Sequence, residues 1–153
     1  MVEELESFTL FQGFTALQLA EISSFCTVLR LEDGEILIHE SEGDDSDLYL
    51  LCSGSVEVVS NNTKMTSDEV VISKEENELF GEMAWLSGKK RTASIRCHGS
   101  VKAIRIDGDA LFKYLQASPE LGFVFMHRLA LLVTQRLGDS SSLLKQILWN
   151  NLL

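Results

Sequence analysis

The sequence predicts a mainly-β domain with helices before and after it. Three observations carry that reading. Residues 25–107 break into seven or eight short runs in which Val, Ile and Leu alternate with polar residues, the pattern of half-buried strands. The flanking segments, 1–24 and 108–153, switch to the helical spacing of apolar residues. The chain has one proline, Pro119, and no Gly/Ser-rich stretch or internal repeat, so nothing divides its 153 residues into separate domains. Many short strands at turn-like spacing suggest a sandwich or a jelly-roll barrel.

The elements follow in order. Residues 1–24 read as helix. Thr15 and Gln18 have the spacing of a capping box, and Phe14 stands where it can staple the helix start. The strand candidates are 27–31, 35–39, 48–52, 55–60, 69–73, 92–97 and 101–106. Turn signals separate them: Asp33-Gly34, Gly43-Asp44-Asp45, Ser53-Gly54, Asn61-Asn62 and His98-Gly99-Ser100. After the last strand, Asp107 or Asp109 caps a short helix through Leu115. Ser118-Pro119-Glu120 starts another, with Leu121, Phe125, Leu129 and Leu132 on one stripe. Gly138 is expected to interrupt it before a second stripe of Leu143, Leu144, Ile147, Leu148 and Leu152. That stripe is too apolar for a free surface and calls for the barrel, a second subunit or a parent domain to cover it.

Charge and composition exclude several functions. The net charge is −10, which speaks against the phosphate backbone of nucleic acid and against an anionic membrane surface. No apolar run approaches the ~20 residues of a membrane span, and the acidic start, MVEELESF, does not read as a signal peptide. Cys26, Cys52 and Cys97 fit free thiols in a reducing cytoplasm. His39, His98 and His127 fall on three different elements at no metal-ligand spacing, and no hydrolase, metalloprotease or nucleotide-loop motif is present. None of these enzyme classes is therefore expected. Loop acids such as Glu42, Asp44, Asp45 and Asp47 read as solvated turn residues.

The charge is unevenly spread. Residues 1–50 hold twelve acids and one base, Arg30, whereas from Met83 to Ile106 there is no acid and there are six bases. Within that basic stretch lies the most informative segment, 79–97. Gly81 and Glu82 open a short helical turn, and nine residues later Arg91 enters a strand beside the small residues Thr92, Ala93 and Ser94. Small side chains let a ligand approach the backbone, an arginine grips a phosphate in bidentate fashion, and a carboxylate accepts from sugar hydroxyls. An arginine and an acceptor about a sugar's width apart suit a nucleotide. Phe80, Met83, Trp85, Leu86 and Tyr49 read as core.

Phe80-Gly81-Glu82-x-Ala84, six intervening residues, then Arg91-Thr92-Ala93-Ser94-Ile95 resembles the phosphate-binding cassette of cyclic-nucleotide-binding domains. This is the sensor family of catabolite activator proteins, protein kinase A regulatory subunits and cyclic-nucleotide-gated channels. Gly34-Glu35-x-Leu37-Ile38, an acidic turn, Leu48-Tyr49-Leu50-Leu51, Gly54, Val56 and Val58 are similar to the family's first strands. The resemblance spans about Leu10 to Leu137. There are departures: Lys90 stands where a proline is common, Ser41 where a glycine is common with the following turn one residue longer, and Trp85 where a leucine is common.

The resemblance implies an antiparallel jelly-roll (double-stranded β-helix) barrel with N-terminal helices and a C-terminal helical lid. It implies one such domain over 1–153, with its helical start in 1–24, its barrel in 25–107 and its terminal helices in 108–153. Glu82 would bind the ribose 2′-hydroxyl and Arg91 the cyclic phosphate. Gly81, Met83, Ala84, Thr92 and Ala93 would complete the site, and Ser140 and Ser141 would be base-lid candidates. Thr92 leaves cyclic GMP (cGMP) open beside cyclic AMP (cAMP). The function implied is a cytoplasmic sensor that turns nucleotide binding into movement of its terminal helices. A homodimer or a parent-protein domain would pack through 119–153. The alternative is a ligand-free dimerisation or interaction scaffold. A DNA-binding regulator is not expected, because a chain ending at Leu153 leaves no room for a helix-turn-helix.

Overall fold

The computed structural model describes residues 1–40, 45–60, 70–74 and 79–152. The expected turns Gly43-Asp44 and Asn61-Asn62, together with Ser41, Glu42 and Glu69, lie outside the described residues.

The N-terminal segment is three short turns rather than one helix: α1 (Val2–Glu6), a 3-10 turn (Thr9–Phe11) and α2 (Ala16–Ser23). The capping box forms as spaced. The Gln18 amide donates to Thr15 Oγ1 at 3.1 Å, and the Thr15 amide to Gln18 Oε1 at 2.8 Å. Together these satisfy two of the donors that every helix start exposes.

Strands β1 (Cys26–Leu31), β2 (Ile36–Ile38), β3 (Leu48–Ser60), β4 (Val70–Lys74), β5 (Leu79–Phe80) and β6 (Ser94–Ile106) form one antiparallel sheet. Its path is β1-β6-β3-β4, with β2 also on β6 and β5 also on β3. Among the described residues this path does not close, so the architecture is an antiparallel sheet with flanking helices rather than the closed barrel expected.

Two pairs of expected strands are single long strands. Ser53-Gly54 lies inside β3 and His98-Gly99-Ser100 inside β6, and the chain shifts register there without turning. Gly54 makes this possible: its φ is +92°, and a Cβ would stand 2.5 Å from the Ser100 carbonyl oxygen. Two backbones pass too closely there for any side chain.

Both faces of the sheet are buried. Leu48, Leu50, Ile104 and Ile106 join Phe11, Leu19, Leu111, Phe125 and Leu129 in a core beneath the helices. Tyr49, Leu51, Val101 and Ala103, one residue out of step, join Leu37, Ile38, Val56, Phe80 and Ile95 in a second core. The unbroken apolar run Leu48–Leu51 thus has a physical reason, since alternate residues serve two cores.

After β6, Asp107 caps α4 (Gly108–Ala117) by accepting from the Ala110 amide at 3.0 Å. Next, α5 runs unbroken from Pro119 to Leu152. Gly138 does not interrupt it: one glycine costs about 1 kcal/mol in a helix, and here it meets open space. Gly122, Phe125 and Leu129 bury the first half of α5, and Arg128 donates to the carbonyls of Leu10 and Gln12. The later stripe is not covered by the sheet: Leu143, Leu144, Ile147, Leu148 and Leu152 are all exposed. No helix among the described residues is long and apolar enough to cross a membrane.

Candidate ligand-binding site

Between β5 and β6 the chain makes a short helix, α3 (Glu82–Ser87), and then an extended run into Arg91. Helical spacing sorts its side chains. Glu82, Ala84 and Trp85 turn inward, while Met83, Leu86 and Ser87 turn out. The core role expected for Met83 and Leu86 is therefore corrected: they are 65% and 46% exposed. Trp85 is half-buried. Its indole Nε1–H donates to the Gly108 carbonyl at 2.8 Å and its ring packs edge-on against Phe125, centroids 5.9 Å apart. The rim of the site is thereby tied to α4 and α5.

A cavity of about 550 Å³ opens beside α3, a volume in the range of small-molecule sites. Gly81, Glu82, Met83, Ala84, Arg91, Thr92 and Ala93 all line it, with Val58 and Ile95 among its apolar walls. Residues 80–84 and 89–93 therefore converge on one cavity. Ser140 and Ser141 do not line it; they stand exposed further along α5.

Arg91 is 7% exposed. Its Nη1 donates to the Gly81 carbonyl at 3.0 Å and its Nη2 to the Asp47 carbonyl at 2.7 Å. Gly81 is what permits this seat. Its φ is +91°, and a Cβ would lie 2.6 Å from Arg91 Nη1 and 2.6 Å from the Asp47 oxygen. Carbonyl acceptors hold the guanidinium without neutralising it. A carboxylate approaches from one side, Asp45 Oδ1 at 3.5 Å from Nη2. Arg91 Nε is buried with no partner among the described residues, an arrangement that costs free energy unless something completes it.

Asp47 is not the solvated turn residue the sequence suggested, and Asp45, though exposed in its turn as expected, also takes partners. Asp47 accepts from Arg105 Nε at 2.6 Å and from the Gly108 amide at 3.0 Å, joining the strand beneath the site to the start of α4. Its bond raises the Arg105 guanidinium's pKa. Asp45 accepts from the Asp47 amide at 2.8 Å and from Tyr49 Oη at 3.1 Å. Desolvation raises its carboxyl pKa, but the Asp47 amide, the Arg91 charge and the Tyr49 hydroxyl outweigh it, and the net shift is downward. Burial first, and the Asp45 charge second, push the Tyr49 phenol up to about 12.

At the other end of the cavity, Glu82 is 8% exposed, and Arg136 Nη1 of α5 donates to its Oε1 at 2.6 Å. Arg136 also donates to the Leu79 carbonyl and lies over the Phe80 ring, 5.9 Å from its centroid. Sequence reasoning missed this residue. It stands 54 positions from Glu82 on another element, and its only local signal was a charge on the apolar stripe of α5. Among the described residues, no group of three His, Cys, Asp or Glu side chains is arranged to hold a metal ion.

Comparison with known proteins agrees in both sequence and structure. Residues 28–118 match the family model of the cyclic nucleotide-binding domain. The chain is 30% identical over 111 residues to the cAMP-dependent protein kinase regulatory subunit of Emericella nidulans, covering 72% of this chain and 26% of the relative. It therefore spans about a quarter of the curated relatives it matches. Among solved structures, a cyclic nucleotide-binding domain from Methylobacillus flagellatus superposes with a TM-score of 0.76 at 23% identity, over 91% of this chain and 77% of that one. The cAMP complex of the Toxoplasma gondii protein kinase A regulatory domain superposes at 0.69 with 16% identity, over 90% and 48%. At those identities the two structures speak for the fold, while the family rests on the matched model over residues 28–118: this chain belongs to the cyclic nucleotide-binding domain family.

Proposed function

We propose that the chain is a regulatory module that binds a cyclic mononucleotide, cAMP or cGMP, in the cavity beside α3, and that it catalyses nothing. One observation carries the reading: Arg91 is a buried guanidinium whose Nε has no partner among the described residues, in a cavity that Glu82 also lines. A cyclic phosphate offers the oxygens and the negative charge this arginine lacks. The Glu82 carboxylate accepts from the ribose hydroxyl. Val58 and Ile95 give the base an apolar wall, and the exposed Thr92 hydroxyl leaves guanine and adenine both open. The two cores on opposite faces of the sheet support a jelly-roll wrapping of β3 and β6.

Arg136 supports the helix-movement part of the proposal. A sugar hydroxyl that donates to Glu82 competes with Arg136 for the same carboxylate, so ligand entry loosens α5 at that point. Ser140 and Ser141, one turn further on, would then close over the base. The exposed leucines of α5 would be covered by a second copy or by the rest of a longer protein. Three free cysteines fit a reducing cytoplasm.

The test is titration of nucleotide-stripped protein with cAMP and cGMP, by calorimetry and thermal shift. Micromolar or tighter binding with a Tm that rises with ligand is expected. No heat and no shift up to millimolar ligand would leave the scaffold reading.

A further inference from the structure

We infer that Lys89 and Lys90 form an electrostatic funnel that sets how fast the anionic ligand enters, not how long it stays. The inference rests on the reading of the cavity as an anion site. Both lysines line the cavity and both are exposed. The Lys89 backbone amide donates to Ser87 Oγ, but neither ammonium group takes a partner among the described residues. They hold nothing together, so packing does not explain them.

Their position answers a problem the chain sets itself. A nucleotide monoanion must approach a body of net charge −10 whose first fifty residues carry twelve acids. At physiological ionic strength the field reaches only about 8 Å, so the charges at the mouth decide the final approach. Lys89 and Lys90 directly precede Arg91, within the stretch from Met83 to Ile106 that contains no acid. Apolar cavity walls focus their field along the entry path. Flexible, exposed ammonium groups gain little from a fixed contact in water, so their effect falls on association rather than dissociation.

The experiment is stopped-flow association and dissociation of a fluorescently labelled cAMP, at about 0.01 M and about 1 M ionic strength, where the Debye length is about 30 Å and about 3 Å. The variant Lys89→Gln/Lys90→Gln is compared with Lys113→Gln/Lys145→Gln, which removes the same charge from α4 and α5, away from the cavity. The mouth variant should associate about fivefold more slowly at low salt and normally at high salt, with dissociation unchanged. The remote variant should stay within about twofold. Equal slowing of both variants would assign the effect to net charge and overturn the funnel. Faster dissociation of the mouth variant would make the lysines direct ligand contacts and overturn it too. Failure of the unaltered protein to bind labelled or unlabelled cAMP and cGMP would remove the anion-site reading itself.

Discussion

The two ends of the cavity each present an arginine, and they are compensated in opposite ways. Arg136 faces the Glu82 carboxylate at 2.6 Å, so its charge is already balanced. Arg91 is held by two carbonyl oxygens, with Asp45 more distant at 3.5 Å and an Nε that has no partner among the described residues. An anion therefore gains more at the Arg91 end. At the Glu82 end the currency is exchange, since a hydroxyl can enter only by sharing or displacing a cation. In the proposed function, one end would supply affinity and the other a handle on α5.

The sharpest way to break this comparison is Arg91→Ala. A charge-assisted contact of this kind is worth about 1.5–3 kcal/mol, so affinity should fall at least about tenfold by calorimetry, and the melting temperature should fall too, because the Gly81 and Asp47 carbonyls lose their donor. Unchanged affinity would move the phosphate elsewhere. Gly81→Ala attacks the seat of the same arginine. Its φ of +91° and the 2.6 Å approach of Arg91 Nη1 leave no room for a Cβ, and such strain costs about 1–3 kcal/mol. Both stability and affinity should drop, and a protein that melts normally would show that the close approach is dispensable.

Arg136→Gln probes the exchange end. Affinity should rise by up to about fivefold, the worth of a partly exposed pair. Ligand-dependent changes in amide exchange along α5 should disappear. Weaker binding would make Arg136 part of the ligand's own cradle instead of its competitor.

The smallest effect is expected from acid. Asp45 titrates below its ordinary 3.8 in the folded chain, so it binds fewer protons folded than unfolded in that range. Its contribution is fully present above 3.8 and is lost as pH falls through the folded value. Asp45→Asn should flatten the acid limb of a stability-against-pH curve and leave neutral stability little altered.

What the sequence made legible was local. The α2 capping box spans four residues, the Asp107 cap stands three residues from the amide it holds, and the glycine, glutamate and arginine of the cassette fall within eleven positions. What it hid was long-range. Asp47 holds Arg91 from 44 positions away, and Arg136 meets Glu82 from 54. No spacing rule encodes such pairs, because a different element brings in each partner. The merged strands and the unbroken α5 misled for another reason. Gly54, Gly99 and Gly138 look alike as letters, yet the first two sit at positive φ inside strand pairs and the third continues a helix.

The placement of Trp85 carries one more consequence. It is half-buried on α3 between Phe125 and the Gly108 carbonyl, packed on the helix-side core, whereas Trp149, the second of the chain's two tryptophans, is 65% exposed near the end of α5. The protein thus contains two built-in fluorophores in unlike surroundings. The one on α3 sits in an apolar, hydrogen-bonded niche and the one on α5 faces solvent. With Trp149→Phe, the remaining emission becomes an optical record of the α3 rim alone, and any nucleotide that shifts that rim against α4 and α5 writes its own binding curve without a label.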